Sequence, residues 1–405
     1  MFDVSMIRKD FPILQQQIEG KKNTYLDTAA SAQKPVSVID AIKKAYMEEY
    51  ANVHRGSYWL SEITTQKYEN VRNIVKTFIN AQKKEEIIFT RNATEGINLV
   101  ASTWGCENIK QGDEILISRA EHHANLVTWQ QLALKKNAIL KYFDLGEKGE
   151  FVLENFLNAL SNKTKIVAVC AMSNVLGTVF PIKDICDYAH KCGAKVLIDA
   201  CQYVVHKKID VSYVDCDFMV FSGHKLYGPT GIGILYGKYD LLCEMPPYQF
   251  GGDMIEHVYY DKTSFALPPA RFEAGTPAFV QAIGLGKAIE YLMQFDFTDI
   301  EKHENNLIQY TTDRLHEIDG LKIFGTAENK GGVFSFAING IHPQDLAFIL
   351  GKEGIAVRTG HFCAEPLVCH LGYNSLTRAS LGIYNTKEDI DTLVLVLNKA
   401  KSFLA

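Results

Sequence analysis

Residues 195–225 read KVLIDACQYVVHKKIDVSYVDCDFMVFSGHK, and the two ends of that stretch decide the fold. Residues 195–198 and 218–221 are short, apolar and rich in β-branched or aromatic side chains, which predicts strands buried on both faces. Each gives way at once to polar residues: Asp199 and Gln202 after the first, Ser222-Gly223-His224-Lys225 after the second. In an open α/β sheet, ligands bind beyond the carboxyl ends of the strands, so these residues are read together.

The same alternation extends in both directions, from about Asn23 to Asp217. Ile87–Thr90, Glu114–Ser118 and residues 165–170 and 231–236 have strand character, while intervening stretches such as 182–192 carry helical spacing. The expected class is α/β with a mostly parallel sheet. Beyond Gly286 the pattern shifts to a long polar helix over 287–318 and strands over 333–337 and 354–357, which predicts a second, smaller α+β domain. The expected division is a large domain over 21–290 and a small one made of 1–20 and 291–405, with the N-terminal segment packing on the smaller unit. Residues 249–262 read as a short excursion.

A chain of 405 residues favours two domains, and 47% hydrophobic with 22% charged residues is ordinary globular composition. A net charge of -5 offers no basic stripe, so nucleic acid is not an expected partner. No run approaches the roughly 18 apolar residues of a membrane span. The first 17 residues lack the apolar core of a secretory signal, so a cytoplasmic protein is expected. Nine scattered cysteines read as small hydrophobes kept reduced.

Further polar residues follow the other strands. Thr94, in Arg91–Gly96, can cap a helix whose free N–H groups would hold a phosphate. His122 and His123 follow Glu114–Ser118, and Ser173-Asn174 follows 165–170. Asp199 reads either as a capping residue or as a carboxylate meeting a cation such as a protonated pyridinium nitrogen. Lys225, in a crowded strand-end position, suits Schiff-base chemistry, which needs a neutral amine. Ser222 and His224 can bond phosphate oxygens, and Gly223 permits close backbone approach. Cys363, between Gly360 and Pro366, belongs to an irregular segment where a thiolate could form beside Arg358 or a protonated histidine. His361, Cys363, Cys369 and His370 raise a zinc-module alternative, but their spacing suits one tetrahedral centre poorly, and no metal is expected.

Asp199-Ala200-Cys201-Gln202 followed by Ser222-Gly223-His224-Lys225 resembles the fold-type I pyridoxal-phosphate enzymes of the class V aminotransferase superfamily. Within it the chain is similar to the group II, SufS-type cysteine desulfurases. The likeness extends through Tyr25-Leu26-Asp27, Asn52–Gly56, Thr94–Asn98, Arg271–Pro277 and Arg358–Cys363.

The resemblance implies a seven-stranded sheet and pyridoxal 5'-phosphate as cofactor. Lys225 would hold it as a Schiff base, with Asp199 on the pyridinium nitrogen, His122 stacked on the ring and Gln202 on the ring hydroxyl. Thr94, Ser222 and His224 would hold the phosphate, joined by Thr276 from the neighbouring subunit of a homodimer with shared active sites. Arg378, with Asn174, Arg358 and His54, would bind the substrate, L-cysteine. Cys363 would take its sulfur as a persulfide and leave L-alanine, with a protonated His122 or His123 supplying protons.

Group membership implies a SufE- or SufU-type acceptor feeding iron–sulfur cluster assembly. Three departures touch acceptor recognition and protonation: Cys201 where alanine is usual, Phe362 where some members have a second histidine, and Gln249-Phe250 in place of a charged residue. Selenocysteine lyase, an aminotransferase or epimerase of the same superfamily, and a sulfur-carrying scaffold remain as alternatives.

Overall fold

The computed structural model describes residues 2 to 404. A seven-stranded sheet runs in the order Ile87–Thr90, Gly233–Gly237, Phe218–Ser222, Lys195–Asp199, Thr164–Cys170, Glu114–Ser118, Ile139–Phe143. Gly233–Gly237 is antiparallel to both its neighbours, and every other pair is parallel. The inner strands are buried along their length because helices cover both faces, which is why they read as unbroken apolar runs. Ile139–Phe143 lies outside the expected strands. It is an edge strand, half exposed and interrupted by Lys141, so it carries no such run.

The smaller unit holds an antiparallel sheet ordered Leu321–Phe324, Val333–Ile338, Leu376–Ser380, Arg358–Gly360. Residues 354–357, expected as one strand, instead contain the two-residue strand Ile355–Ala356, which pairs in parallel with Thr24–Tyr25. The expected helix over 287–318 is two helices, Phe279–Leu292 and Phe297–His316. The break falls at Asp296, whose side chain accepts from Thr298 N and starts the second helix. The first is packed closely enough that a Cβ on Gly284 would lie 2.8 Å from Ile42 Cγ1.

The N-terminal segment packs on residues of both expected units. Ile7, Phe11 and Leu14 join the main hydrophobic core, where the Phe11 ring meets Tyr227, Tyr291 and Tyr384. Arg8 pairs with Asp389 at 2.7 Å and Glu19 with Lys352 at 3.1 Å, both in the expected small unit. Apolar spacing showed that the segment packs, but not on which neighbour. The 249–262 excursion holds one arm of a hairpin, Ile255–Val258 with Thr263–Phe265. No helix among the described residues is long and apolar enough to cross a membrane.

Candidate active site

The carboxyl ends of Lys195–Asp199, Phe218–Ser222 and Thr164–Cys170 converge on a cavity of about 450 Å³. Lys225 lies on its wall in a turn that begins at Ser222, where Lys225 N donates to Ser222 O at 3.3 Å. Ser222 Oγ accepts from Ala93 N at 2.9 Å, tying this strand end to the helix Ala93–Val100. The cap of that helix is Asn92, whose Oδ1 accepts from Glu95 N, so Thr94 sits inside the first turn and not at the cap as expected. Thr94 still borders the cavity beside Ser222 and His224. Gly223 gives close approach to protein: a Cβ there would meet Ile232 Cγ2 at 3.0 Å.

Asp199, 6% exposed, lines the cavity. Its Oδ1 accepts from Cys201 N at 3.0 Å across a local turn, and no helix starts at it. Gln202 is pinned by donation from Nε2 to Ala29 O at 2.7 Å. His122 caps the helix His123–Lys136, its Nδ1 accepting from Ala124 N at 3.1 Å. Burial first, then the Lys225 cation, push its pKa down to about 4. The ring is therefore neutral near pH 7, against the expectation of a protonated His122. His224 is likewise pushed down to about 4, by burial, Lys225 and Lys34.

The opposite wall comes from the small unit. Arg378 and Arg358 face each other across the antiparallel pair Leu376–Ser380 and Arg358–Gly360. Arg378 is 2% exposed and donates to Asn174 O at 2.9 Å, and burial pushes its pKa down to about 10, so it remains a cation at neutral pH. Its Nε is buried with no protein partner. Asp27 holds both arginines in place, at 3.0 Å from Arg358 and 3.5 Å from Arg378. Reading the sequence missed this role for Asp27. Its signal was its place in the Tyr25-Leu26-Asp27 stretch, two residues past a short strand.

Cys363 is exposed and borders the same cavity as Lys225. It lies in the turn between Arg358–Gly360 and the helix Glu365–His370, with φ at +55°. Its carbonyl accepts from His123 N at 2.6 Å, and Glu365 N donates to His123 Nε2 at 3.0 Å. His123 thus braces the cysteine loop from outside the cavity and is not poised to pass protons within it.

Two other expected site residues also stand elsewhere. His54 pairs with Glu69 at 3.1 Å, and Thr276 borders a separate cavity with Tyr68, Phe89 and Glu273. Among the described residues, no three histidine, cysteine or acidic side chains come together as a metal site.

The family model for class-V aminotransferases matches residues 24–393. A probable cysteine desulfurase of Halalkalibacterium halodurans is 47% identical over 98% of this chain and 98% of its own length. A cysteine desulfurase of Synechococcus elongatus is 44% identical over 99% of this chain, which spans only 64% of that longer protein. The solved structure of the Escherichia coli cysteine desulfurase CsdA, in S-sulfonic acid form, superposes with a TM-score of 0.93 at 36% identity, covering all of both chains. A nearly full-length family match, a relative alike from end to end, and a cavity with lysine on one wall and cysteine on the other agree: this chain belongs to the class-V aminotransferase family, on its cysteine desulfurase branch.

Proposed function

We propose that this chain transfers sulfur from L-cysteine to its own Cys363, leaving L-alanine and a Cys363 persulfide. The observation that carries the reading is that Lys225 and Cys363 border one cavity. Pyridoxal 5'-phosphate is the cofactor, and the donor set fits it. Hydroxyl, imidazole and helix-start groups (Thr94, Ser222, His224), a carboxylate (Asp199) and a primary amine (Lys225) line the one cavity. When bound, the cofactor supplies a sink for the electrons of the substrate α-carbon.

The residues do the rest. Asp199 would hold the pyridinium nitrogen charged, and Gln202, its amide fixed by Ala29, would meet the ring hydroxyl. Neutral His122 would offer the ring a flat face. Arg378 takes the substrate carboxylate with its planar fork, assisted by Asn174. Lys225 Nζ removes the α-proton and returns a proton later in the cycle. The Cys363 sulfur attacks the substrate sulfur, so that an S–S bond forms as the substrate C–S bond breaks. The carbon left behind takes up a proton and becomes the methyl group of L-alanine.

His54 and Thr276 lie outside this cavity, which supports assigning them to the site of a neighbouring copy in a homodimer. The exposure of Cys363 suits delivery of its sulfur to a protein acceptor of SufE or SufU type for iron–sulfur cluster assembly. All nine cysteines are unpaired, which suits the cytoplasm.

Two variants test the reading. Lys225→Ala is expected to lose both the visible cofactor band and turnover. Cys363→Ala is expected to keep the band but yield no L-alanine. Turnover by Lys225→Ala, or undiminished sulfide release by Cys363→Ala, contradicts it.

A further inference from the structure

Phe362 stands next to the sulfur-accepting cysteine and touches both side chains assigned to the substrate carboxylate. Its ring lies 4.8 Å from the Arg378 guanidinium carbon, and its carbonyl accepts from Asn174 Nδ2 at 2.7 Å. The ring is 7% exposed, whereas Cys363 beside it is open to solvent. Both residues are left-handed, with φ of 54° and 55°. That region is costly for any residue with a Cβ, above all a bulky one, and persists only where surrounding contacts impose it. The imposing contacts are the bond that closes the turn, from Ala364 N to His361 O at 2.9 Å, the two at Phe362, and the bond from His123 N to Cys363 O.

Arg378 and Asn174 are also where an incoming carboxylate docks. A carboxylate on the guanidinium offsets the positive charge that the Phe362 ring faces, and so weakens the cation–π contact. The Asn174 amide has a second N–H for the same anion, and turning toward it strains the bond to the Phe362 carbonyl. Both restraints on the left-handed pair therefore loosen when substrate is in place.

We propose that Phe362 is a positioning residue, a latch that senses the substrate carboxylate through Arg378 and Asn174 and releases Cys363 toward the substrate sulfur only when that carboxylate is bound. The proposal rests on the reading of Cys363 as sulfur acceptor and Arg378 as carboxylate grip. It involves no covalent step of its own.

The test is the rate at which iodoacetamide alkylates Cys363 in the holoenzyme, with and without saturating L-alanine, whose binding is followed by the cofactor's absorbance. In the wild type, L-alanine should speed alkylation roughly three- to tenfold, the range a buried cation–π contact can supply. Phe362→Leu should react at the faster rate without ligand and show no further response, while Phe362→Tyr, which keeps the ring, should retain the response. An unchanged or slower rate in L-alanine-bound wild type overturns the proposal, as does a Phe362→Leu variant that responds like the wild type. The underlying reading fails by a different signal: L-alanine affinity, read from the cofactor band, left intact by Arg378→Lys.

Discussion

The two walls of the cavity are built in opposite ways. On the Lys225 side, strand ends and helix starts are tied to one another by buried hydrogen bonds: Ala93 N to Ser222 Oγ, Cys201 N to Asp199 Oδ1, Gln202 Nε2 to Ala29 O. On the Cys363 side a short exposed turn carries consecutive positive-φ residues and is held by a few contacts to His123, Asn174 and Arg378. The contrast matches the chemistry asked of each wall. Proton movements at a ring-bound carbon need fixed groups, whereas a sulfur taken inside the cavity must afterwards be presented to something outside it.

Breaking the link between the walls should have the largest effect. Arg378→Lys removes a buried planar fork and leaves its neighbours in place, so kcat/KM for L-cysteine should fall ~10³-fold, equivalent to about 4 kcal/mol, with the cofactor band unchanged. A loss below about tenfold would mean that the substrate carboxylate is gripped elsewhere.

A second variant sharpens the rigid side. Glu121, 1% exposed, accepts from Ser118 Oγ, Asn125 Nδ2 and Cys170 N beneath His122, and burial raises its pKa to about 7. An acid whose folded pKa lies above its unfolded value of about 4.5 binds more protons folded than unfolded between those values, so the stability it contributes is lost as pH rises from about 4.5 through 7. Glu121→Gln should flatten that part of the denaturation profile by on the order of 3 kcal/mol. A wild type whose stability rises over the same window because of Glu121 contradicts the assignment.

On the Cys363 side, Gly360 has φ of +113° with no atom near its missing Cβ. Gly360→Ala should therefore strain only the loop, costing roughly 1 to 2 kcal/mol and slowing persulfide formation while the cofactor band stays as it was. Smallest of all, Cys369→Ser, exposed and outside the cavity, should leave turnover within about twofold, the usual fate of a surface substitution. A large loss there would point to a second working thiol.

Much of the rigid wall was legible in the sequence because it is made of local patterns. A strand buried on both faces writes a continuous apolar run, and the residue after it is a site candidate by position alone, as with Asp199 and Ser222. Ile139–Phe143 escaped because an edge strand beside solvent has no such run. The other wall is assembled from distant segments. Asp27 joins Arg358 and Arg378 from more than 300 residues away, and no spacing rule connects them. His123 looked like a partner of His122 by adjacency, yet a helix start turns successive side chains apart and left it bracing the loop. The helix break at Asp296 was missed because no glycine or proline marks it between Phe295 and Phe297.

The most direct measurement is mass spectrometry of the holoenzyme after a single exposure to L-cysteine, with each thiol mapped and L-alanine counted. The account predicts one added sulfur on Cys363, with L-alanine formed in equal amount. Sulfur mapped to Cys201 or Cys369, or L-alanine released while Cys363 stays unmodified, would contradict it.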